Sequence, residues 1–385
     1  MHVKFCPEHT MAALRSEMNC LLAAPDVKTL LVIAADGNDW DAAELDLLLK
    51  STATPVLGAI FPQIIFQDQH YERGFICIAL QLQVAYCLLS QISDAAALAE
   101  NEARLHEVAT EWQREEKGTL MVWVDGLSGQ IGHLLDALFD CFALDKNIIG
   151  GGAGSLSLVQ KPCLLTPEGL YEDAAVLINL PRRSALGVAH GWQPVSGSFK
   201  VTEAQGTVIR SLDWRPALDV YREQIANHAG ITLDLDDFFS TAKSYPFGIT
   251  KLSNEMVVRD PIAVDADGGL VCVGEVPEGC FVRVLHGQAD QLIAAAALAR
   301  TIATDQAAAI GLPDEVITVV VDCISRVLFL QERIQDELSA VSGGHKARVV
   351  GALTLGEIAN SGNDYLDFYN KTCVVGLIED TAGRG

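Results

Sequence analysis

The chain has 385 residues, of which 50% are hydrophobic and 20% are charged, and its formal net charge is −23. Such a composition supports large aliphatic cores and argues against disorder, while the length favours two domains over one. The acidity disfavours nucleic acid and anionic membranes as partners, because both require clustered lysine and arginine.

The cysteines predict packing rather than metal chemistry. Ten are present, but no two form a Cys-x-x-Cys pair and none lies near histidines at zinc-site spacing. Within apolar runs, cysteine behaves as a small hydrophobic residue. The start of the chain does not resemble a signal peptide, and no apolar run reaches about 18 residues. We therefore expect a protein of the reducing cytoplasm that does not enter a membrane.

A first structural unit is predicted near the N-terminus, after an outer helix at His9–Leu22. Leu30–Ala34 has the apolar run of a buried strand, and an acidic turn follows it. Ala42–Lys50 has helical periodicity, and a second short strand ends at Gly58. A strand, a helix and a strand in this order predict a crossover between parallel strands, which is nearly always right-handed.

The same order of elements recurs further along the chain. Ile60–Phe66 and Gly74–Val84 predict strands, and Pro62 would confine the first of them to a sheet edge. Ala95–Lys117 predicts a helix because it is rich in alanine, glutamate and leucine. Residues 119–154 then repeat the pattern of strand, acidic turn, helix and strand.

The second unit ends in a glycine-rich run, Gly150–Gly154. No Lys-Ser/Thr pair follows it, which excludes a Walker-type phosphate loop, and the glycine spacing of a dinucleotide fingerprint is incomplete. We expect instead that the backbone here closely approaches either a neighbouring strand or a ligand.

The remaining elements predict a duplicated plan. A strand at Ser184–Gly191 is followed by a loop that marks a domain boundary, and residues 316–351 form a third unit. The units are too far apart and too unevenly spaced for stacked repeats. The expected fold class is mixed α/β (α+β), with sheets that are covered by helices and can stack on one another. The predicted domains are 25–191 and 192–380.

Several motifs, in sequence order, resemble the FIST domains of bacterial sensory proteins. Asp322–Arg326 contains a Cys-x-x-Arg turn and is followed by Gly356–Ile358, which together are similar to the C-terminal signature of that family. Gly187–Val195 resembles the junction between the two halves of the family, and Leu212–Tyr221 resembles its helix start. Gly150–Gly154 is similar to the glycine-rich end of its N-terminal half. The resemblance implies a FIST N-type domain followed by a FIST C-type domain.

FIST domains are regarded as ligand-sensing modules that work beside histidine kinases and cyclic-di-GMP enzymes. One branch, the nitric-oxide-sensing (NosP) proteins, binds haem. The resemblance therefore implies a cytoplasmic sensor of signal transduction, with haem as cofactor, nitric oxide as ligand and a separate histidine kinase or cyclic-di-GMP enzyme as partner. A homo-oligomer is compatible with this expectation.

His190 is the candidate haem and metal ligand, and Trp192 is a candidate cofactor-binding residue beside it. His190 lies at the predicted domain junction beside Trp192, ligands favour such junctions, and histidine is a common ligand of haem iron. The alternative is a histidine that packs against Trp192 with a satisfied hydrogen bond. Asp322 is a candidate ligand-binding residue, and Arg326, four residues later, is a candidate for binding an anion such as a haem propionate. Its alternative role is a local ion pair with Asp322.

Arg215 and Glu357 are further candidate ligand-binding residues, although a structural role is favoured for both. The sequence lacks the Gly-x-Ser-x-Gly and His-Glu-x-x-His motifs, so we assign no catalytic residue. Three rival functions stay open: a haem-free sensor of a metabolite such as an amino acid, a hydrolase or transferase on the same scaffold, and an interaction scaffold.

Overall fold

The computed structural model describes most of the chain. The described residues are 1–112, 118–142, 146–251, 256–343, 348–360 and 366–380. The predicted helix Ala95–Lys117 is therefore described only as far as Trp112, and residues 113–117 lie outside the described part.

The sequence supplies side-chain caps at the start of the first two described helices. The side chain of Thr10 accepts the N–H of Ala13 at the start of α1, and Asp41 accepts that of Glu44 at the start of α2. In the part of the chain that the structure describes, no helix has both the length and the apolarity needed to cross a membrane. The helices are α1 (Met11–Leu22), α2 (Ala42–Ser51), α3 (Leu98–Trp112), α4 (Ile131–Phe142), α5 (Ala217–Ala229), α6 (Phe238–Ala242), α7 (Ala289–Ala309), α8 (Ile324–Leu330) and α9 (Ile334–Ser342).

The strands fall into two groups, before and after the junction. Those before the junction are β1 (His2–Cys6), β2 (Thr29–Ala35), β3 (Val56–Phe61), β4 (Gln63–Phe66), β5 (Gln69–Tyr71), β6 (Phe75–Leu80), β7 (Ala85–Ser90), β8 (Thr119–Asp125), β9 (Asn147–Ala153), β10 (Leu164–Thr166), β11 (Gly169–Tyr171), β12 (Ala174–Leu180) and β13 (Ser184–Ala189). Those after it are β14 (Gln193–Pro194), β15 (Phe199–Gln205), β16 (Val208–Leu212), β17 (Arg215–Pro216), β18 (Phe247–Thr250), β19 (Met256–Val264), β20 (Leu270–Val273), β21 (Phe281–His286), β22 (Val316–Cys323), β23 (Val349–Thr354), β24 (Glu357–Asn360), β25 (Leu366–Tyr369) and β26 (Cys373–Glu379).

The three predicted units are confirmed. β2 and β3 run parallel with α2 between them, β8 and β9 run parallel with α4 between them, and β22 and β23 run parallel with α8 and α9 between them. In each unit an apolar strand, a polar turn and an amphipathic helix lead into a second apolar strand, which is the pattern of a crossover connection.

Each unit forms the centre of a six-stranded sheet. The first sheet has the order β1-β6-β2-β3-β10-β11, the second β25-β24-β9-β8-β12-β7, and the third β13-β26-β22-β23-β4-β5. The second sheet is extended by β24 and β25 from the C-terminal half, and the third by β4, β5 and β13 from the N-terminal half. The two halves of the chain are thus joined by shared sheets.

The expectation for Pro62 is wrong. β3 ends at Phe61 and β4 begins at Gln63, so Pro62 lies in the step by which the chain passes from the first sheet to the third. β4 lies between β23 and β5 and is therefore not an edge strand. Proline is tolerated here because it falls between two strands, where no ladder hydrogen bond requires its missing N–H.

The three sheets are covered by helices on their outer faces and contribute to one core on their inner faces. Ile33 of the first sheet, Trp123 of the second and Val319 of the third belong to the same apolar cluster. Val32, which points to the opposite face from Ile33, packs in the cluster of α1 and α2. The second and third sheets pack in the same way against α3 and α4 and against α7, α8 and α9. This confirms the mixed α/β class.

A closed ring of antiparallel strands follows the junction. β15, β16, β20, β19, β18 and β21 pair in that order, and β21 pairs back onto β15. We call this ring the barrel. Tyr221 and Ile225 of α5 are fully buried in the same apolar cluster as the barrel strands. β21 also pairs with β14, directly after the junction, through Gln193 and His286.

One glycine has the same place in the closing strand of each unit, and this place explains the glycine-rich run. A Cβ at Gly150 would lie 1.7 Å from the main-chain oxygen of Val122, its partner in the parallel pair. Only a residue without Cβ permits this approach. The expected close contact is therefore made with a neighbouring strand. The other two pairs, with distances of 1.8 and 1.9 Å, are Gly58 with Val32 and Gly351 with Val320.

Candidate functional site

A fully buried arginine lies where β22 passes into α8. The Nε and Nη2 atoms of Arg326 donate to the carboxylate of Glu337 at 2.9 and 2.5 Å. Its Nη1 atom donates to the main-chain oxygens of His190 and Lys371 at 2.7 and 3.0 Å. Nη2 also donates to the main-chain oxygen of Leu292 at 2.9 Å. All five guanidinium N–H groups are thus satisfied by the protein itself.

Asp322 is the second carboxylate beside this guanidinium. Its Oδ1 atom lies 3.3 Å from Nε of Arg326 and accepts the main-chain N–H of Cys323 at 2.9 Å. Burial, together with the neighbouring carboxylate of Glu337, raises the pKa of Asp322 well above its ordinary value. Because the environment favours the neutral form of Asp322, Glu337 is the carboxylate that balances the charge of Arg326.

A buried lysine extends the network toward Trp192. Lys371 Nζ lies 2.9 Å from Oδ2 of Asp260 and donates to the main-chain oxygen of Lys243 at 3.0 Å. It also lies 5.0 Å from the centre of the Trp192 ring, within cation–π range. In return, the indole N–H of Trp192 donates to the main-chain oxygen of Lys371 at 3.0 Å. Trp192 is therefore fixed from both its face and its edge.

Glu357 lies in the same polar interior and is fully buried. Its Oε1 atom accepts the hydroxyl of Thr354 at 3.0 Å, and Oε2 accepts the main-chain N–H of Thr372 at 3.2 Å. Burial raises the pKa of Glu357 to about 8. Burial likewise raises the pKa of the nearby Cys323 thiol above its ordinary value, which disfavours the thiolate that nucleophilic chemistry requires.

His190 is half-buried at the junction, and both its ring and its main chain are engaged. Its Nδ1 atom accepts the main-chain N–H of Trp192 at 3.0 Å, and its main-chain oxygen accepts a hydrogen bond from Arg326. Burial first, and then the charge of Arg326, lower the pKa of His190 to about 4. The ring is therefore neutral at pH 7, with its lone pair on Nδ1 and its proton on Nε2.

The structure brings together five of the six predicted site residues and separates Arg215 from them. His190, Trp192, Asp322, Arg326 and Glu357 belong to the buried polar network. Arg215 lies in the exposed strand β17, where its side chain pairs with Glu223 at 2.5 Å. Its place is a surface ion pair, which contributes little energy.

The residues present do not fit a haem in this arrangement. A histidine that binds iron through Nε2 needs its lone pair on that atom and usually donates Nδ1–H to an acceptor. Nδ1 of His190 faces a donor instead, which fixes the opposite tautomer. Arg326 has no unused N–H for a propionate. Among the described residues, no group of three or more His, Cys, Asp or Glu side chains is placed to hold a metal ion.

A groove that the sequence did not indicate lies between β7 and α3. β7 is the last strand of the second sheet, so one side of it carries no neighbouring strand among the described residues. The groove has a volume of about 460 Å³, which is within the usual range for small-molecule sites. Its lining residues are Leu88, Ser90, Gln91, Ala97, Glu100, Asn101, Ala103, Arg104 and Glu107.

The lining of the groove combines one cation with two anions. Arg104 Nη1 pairs with Glu107 at 3.2 Å on the exposed side of α3. Glu100 precedes Arg104 by one helical turn and lines the same groove. The side-chain amide of Asn101 donates to the main-chain oxygen of Ser90, so α3 is tied to the edge strand. Such a surface offers partners for both a carboxylate and an ammonium group.

Two family models match the chain. The model described as FIST N domain matches residues 29–215, and the model described as FIST C domain matches residues 217–360. Together the two matches span the chain from residue 29 to residue 360, apart from Pro216. No curated protein matches the chain closely enough to count as a relative.

Proposed function

Since the chain belongs to the FIST family, whose domains generally act as sensors in signal transduction, we propose that it senses a small zwitterionic metabolite, with an α-amino acid as the simplest case. The site is the groove between β7 and α3. The observation that carries the proposal is the concave lining in which Arg104 and Glu100 lie one helical turn apart.

The charges of the groove match the two ends of such a ligand. The guanidinium of Arg104 is suited to bind a carboxylate with two parallel hydrogen bonds, and Glu100 is suited to bind an ammonium group. Arg104 already pairs with Glu107, but the pair is exposed, and exposed pairs contribute only about 0–1 kcal/mol. A ligand carboxylate can therefore replace Glu107 as the partner of Arg104 at little cost in free energy.

Output passes to a separate signalling enzyme, a histidine kinase or a cyclic-di-GMP enzyme, as the family membership suggests. The ligand contacts α3 and the edge strand β7 together, so it favours conformations in which these two elements hold their present spacing. A ligand shifts an equilibrium only by its difference in affinity between two states. The proposal therefore requires that α3 moves relative to β7 when the groove is empty.

Calorimetric titration with a panel of amino acids tests the site. We expect saturable binding of at least one amino acid, and at least a tenfold weaker binding by Arg104→Ala. The matched control is Arg15→Ala, because Arg15 also forms an exposed pair with a glutamate, Glu44, but lies on α1. A decarboxylated amine and a deaminated acid derived from the best amino acid should both bind less well.

Two results would contradict the proposal. The first is the absence of saturable binding for every zwitterion in the panel. The second is an equal loss of affinity in the Arg104→Ala and Arg15→Ala variants, which would show that the groove is not the binding site.

Haem-based nitric oxide sensing remains a testable second expectation of the family resemblance, although the tautomer of His190 does not favour it. A titration with ferric haem, followed by absorption spectroscopy, decides it. We expect no saturable haem band for the wild type, because Nδ1 of His190 already accepts the N–H of Trp192. A saturable band that nitric oxide shifts, and that is lost in His190→Ala, would restore the haem assignment.

A further inference from the structure

Three aromatic side chains from separate elements meet beside the junction. His228 lies in the last turn of α5, Tyr245 lies between α6 and β18, and His286 ends β21. The two imidazole rings have centres 4.8 Å apart, and the Tyr245 ring is 5.7 Å from His228 and 4.8 Å from His286. More than forty residues separate Tyr245 and His286, so only the fold assembles the group.

Hydrogen bonding leaves the two imidazoles open to a ligand. Nδ1 of His228 lies 3.0 Å from the hydroxyl of Tyr245, so Nε2 is its free ring nitrogen. His228 is exposed. The ring of the half-buried His286 makes no hydrogen bond to any described residue, and its nitrogens are not among the buried unpaired atoms of the described chain. Each ring thus keeps at least one nitrogen without a hydrogen-bond partner among the described residues.

We propose that His228 and His286 bind a divalent transition-metal ion of the zinc type. Imidazole nitrogens bind zinc at about 2.0–2.1 Å, and two such rings on one tetrahedral ion have centres about 5 Å apart. Tyr245 can take the orienting role that metal-binding histidines usually require: in the tautomer in which Nδ1–H of His228 donates to its hydroxyl oxygen, the lone pair of His228 lies on Nε2. Water completes the coordination.

The ion would add a direct link between α5 and the end of β21. α5 packs in the apolar cluster of the barrel, and His286 pairs with Gln193, next to Trp192 and the buried network of Arg326. A metal between His228 and His286 fastens the end of α5 to the junction. The site is separate from the groove at α3, so the zinc experiment can contradict this proposal without contradicting the amino-acid proposal, and the reverse.

Titration of the metal-free protein with zinc, followed by calorimetry, tests the site. We expect one equivalent of zinc bound to the wild type and a loss of at least tenfold in affinity for His228→Ala and for His286→Ala. Tyr245→Phe should weaken binding less, because both ligands remain. His9→Ala is the matched control, since His9 is exposed and lies elsewhere, and it should bind zinc like the wild type.

A second measurement does not depend on calorimetry. Because the two histidines are brought together only in the folded state, saturating zinc should raise the melting temperature of the wild type more than that of His228→Ala. His228 is exposed, so this variant is expected to fold. Unchanged stoichiometry and affinity in both histidine variants would overturn the proposal, and so would an equal rise in melting temperature for wild type and His228→Ala.

Discussion

Arg326 donates a hydrogen bond to the main-chain oxygen of His190, which lies 2.7 Å away and 136 residues earlier in the chain. The same guanidinium binds the main-chain oxygens of Leu292 at the start of α7 and of Lys371 before β26. Three segments that are distant in sequence are therefore held by one side chain. The arginine of the Cys-x-x-Arg turn therefore has a structural role, which is to hold these segments together and does not depend on a ligand.

Replacing this arginine should destabilise the whole fold. Arg326→Met leaves the buried carboxylate of Glu337 without a partner, and breaking a buried ion pair in this way costs about 3–5 kcal/mol. Unfolding by urea, followed by circular dichroism, measures the change. Arg15→Met removes an exposed pair with Glu44 and should cost about 1 kcal/mol or less. Equal losses in the two variants would contradict the role assigned to Arg326.

The two acids beside Arg326 should respond differently to amide substitution. Asp322 favours its protonated form, which Asn imitates, so Asp322→Asn should cost about 1 kcal/mol or less. Glu337 carries the balancing charge, so Glu337→Gln leaves Arg326 without its counter-ion and should cost about 3–5 kcal/mol. The same urea experiment compares them. The reverse order would mean that Asp322 is the charged partner.

Glu357 should make the protein less stable as the pH rises. Its pKa is about 8 in the folded state and 4.5 in its ordinary environment. The folded state therefore binds the extra proton between these values, and the associated stability is lost as the pH rises through the window, by about 2 kcal/mol between pH 6 and pH 8. Urea unfolding at pH 6 and pH 8 measures this loss.

Glu357→Gln should reduce that loss. The amide oxygen can accept the N–H of Thr372 while the amide NH₂ donates to the hydroxyl of Thr354, so the hydrogen bonds survive. Glu223→Gln, at the exposed pair with Arg215, is the control and should keep the pH dependence of the wild type. A Glu357→Gln variant that loses as much stability as the wild type at pH 8 would assign the effect to another group.

Titration of His190 should lower the stability of the protein as the pH falls, which is opposite to the effect of Glu357. The pKa of His190 is about 4 in the folded state and 6.5 in its ordinary environment, so the unfolded state binds the proton first as the pH falls. Stability present above pH 6.5 is then lost between pH 6.5 and 4, by about 2 kcal/mol for this half-buried ring. Titration of the ring by nuclear magnetic resonance measures the pKa directly, and a value near 6.5 would contradict the burial argument.

His190→Asn offers a matched comparison. The Asn side-chain oxygen can accept the N–H two residues ahead, as Nδ1 of His190 does for Trp192, but it does not titrate. We expect this variant to lose less stability than the wild type between pH 7 and pH 5.

The sequence predicted the three units because each is a local pattern. The apolar run Val316–Val321, the acid that follows it and the helix after that acid are contiguous, and period and length identify them without knowledge of the rest of the chain. The sharing of sheets between the halves was not predictable in this way. β4 pairs with β23, and no local property of Gln63–Phe66 identifies a partner almost 300 residues later.

For the candidate sites, too, local sequence patterns predicted some residues, and others could be recognised only in the fold. The order of motifs led to Asp322, Arg326 and Glu357, which do share one buried network, but only the structure shows that the N–H groups of Arg326 are all occupied. The groove at α3 had no sequence signal, because Arg104 lies on an ordinary charged helix face until β7 is known to be a sheet edge. His228 and His286 likewise gave no sequence signal, because they are far apart in the chain and only the long-range contacts of the fold bring them together.

Gly150 should tolerate no side chain, because its Cβ position lies 1.7 Å from the main-chain oxygen of Val122. A parallel strand pair in the centre of a sheet has little freedom to move, so Gly150→Ala must shift one strand and should cost about 3 kcal/mol. Gly197→Ala is the control, since no atom lies within 4 Å of its Cβ position, and it should be neutral or stabilise by up to about 1 kcal/mol. Thermal and urea unfolding of both variants decide the matter. If Gly150→Ala unfolds like the wild type, the repeated glycine is not required by the close approach of strands, and a ligand contact becomes the better explanation of the run.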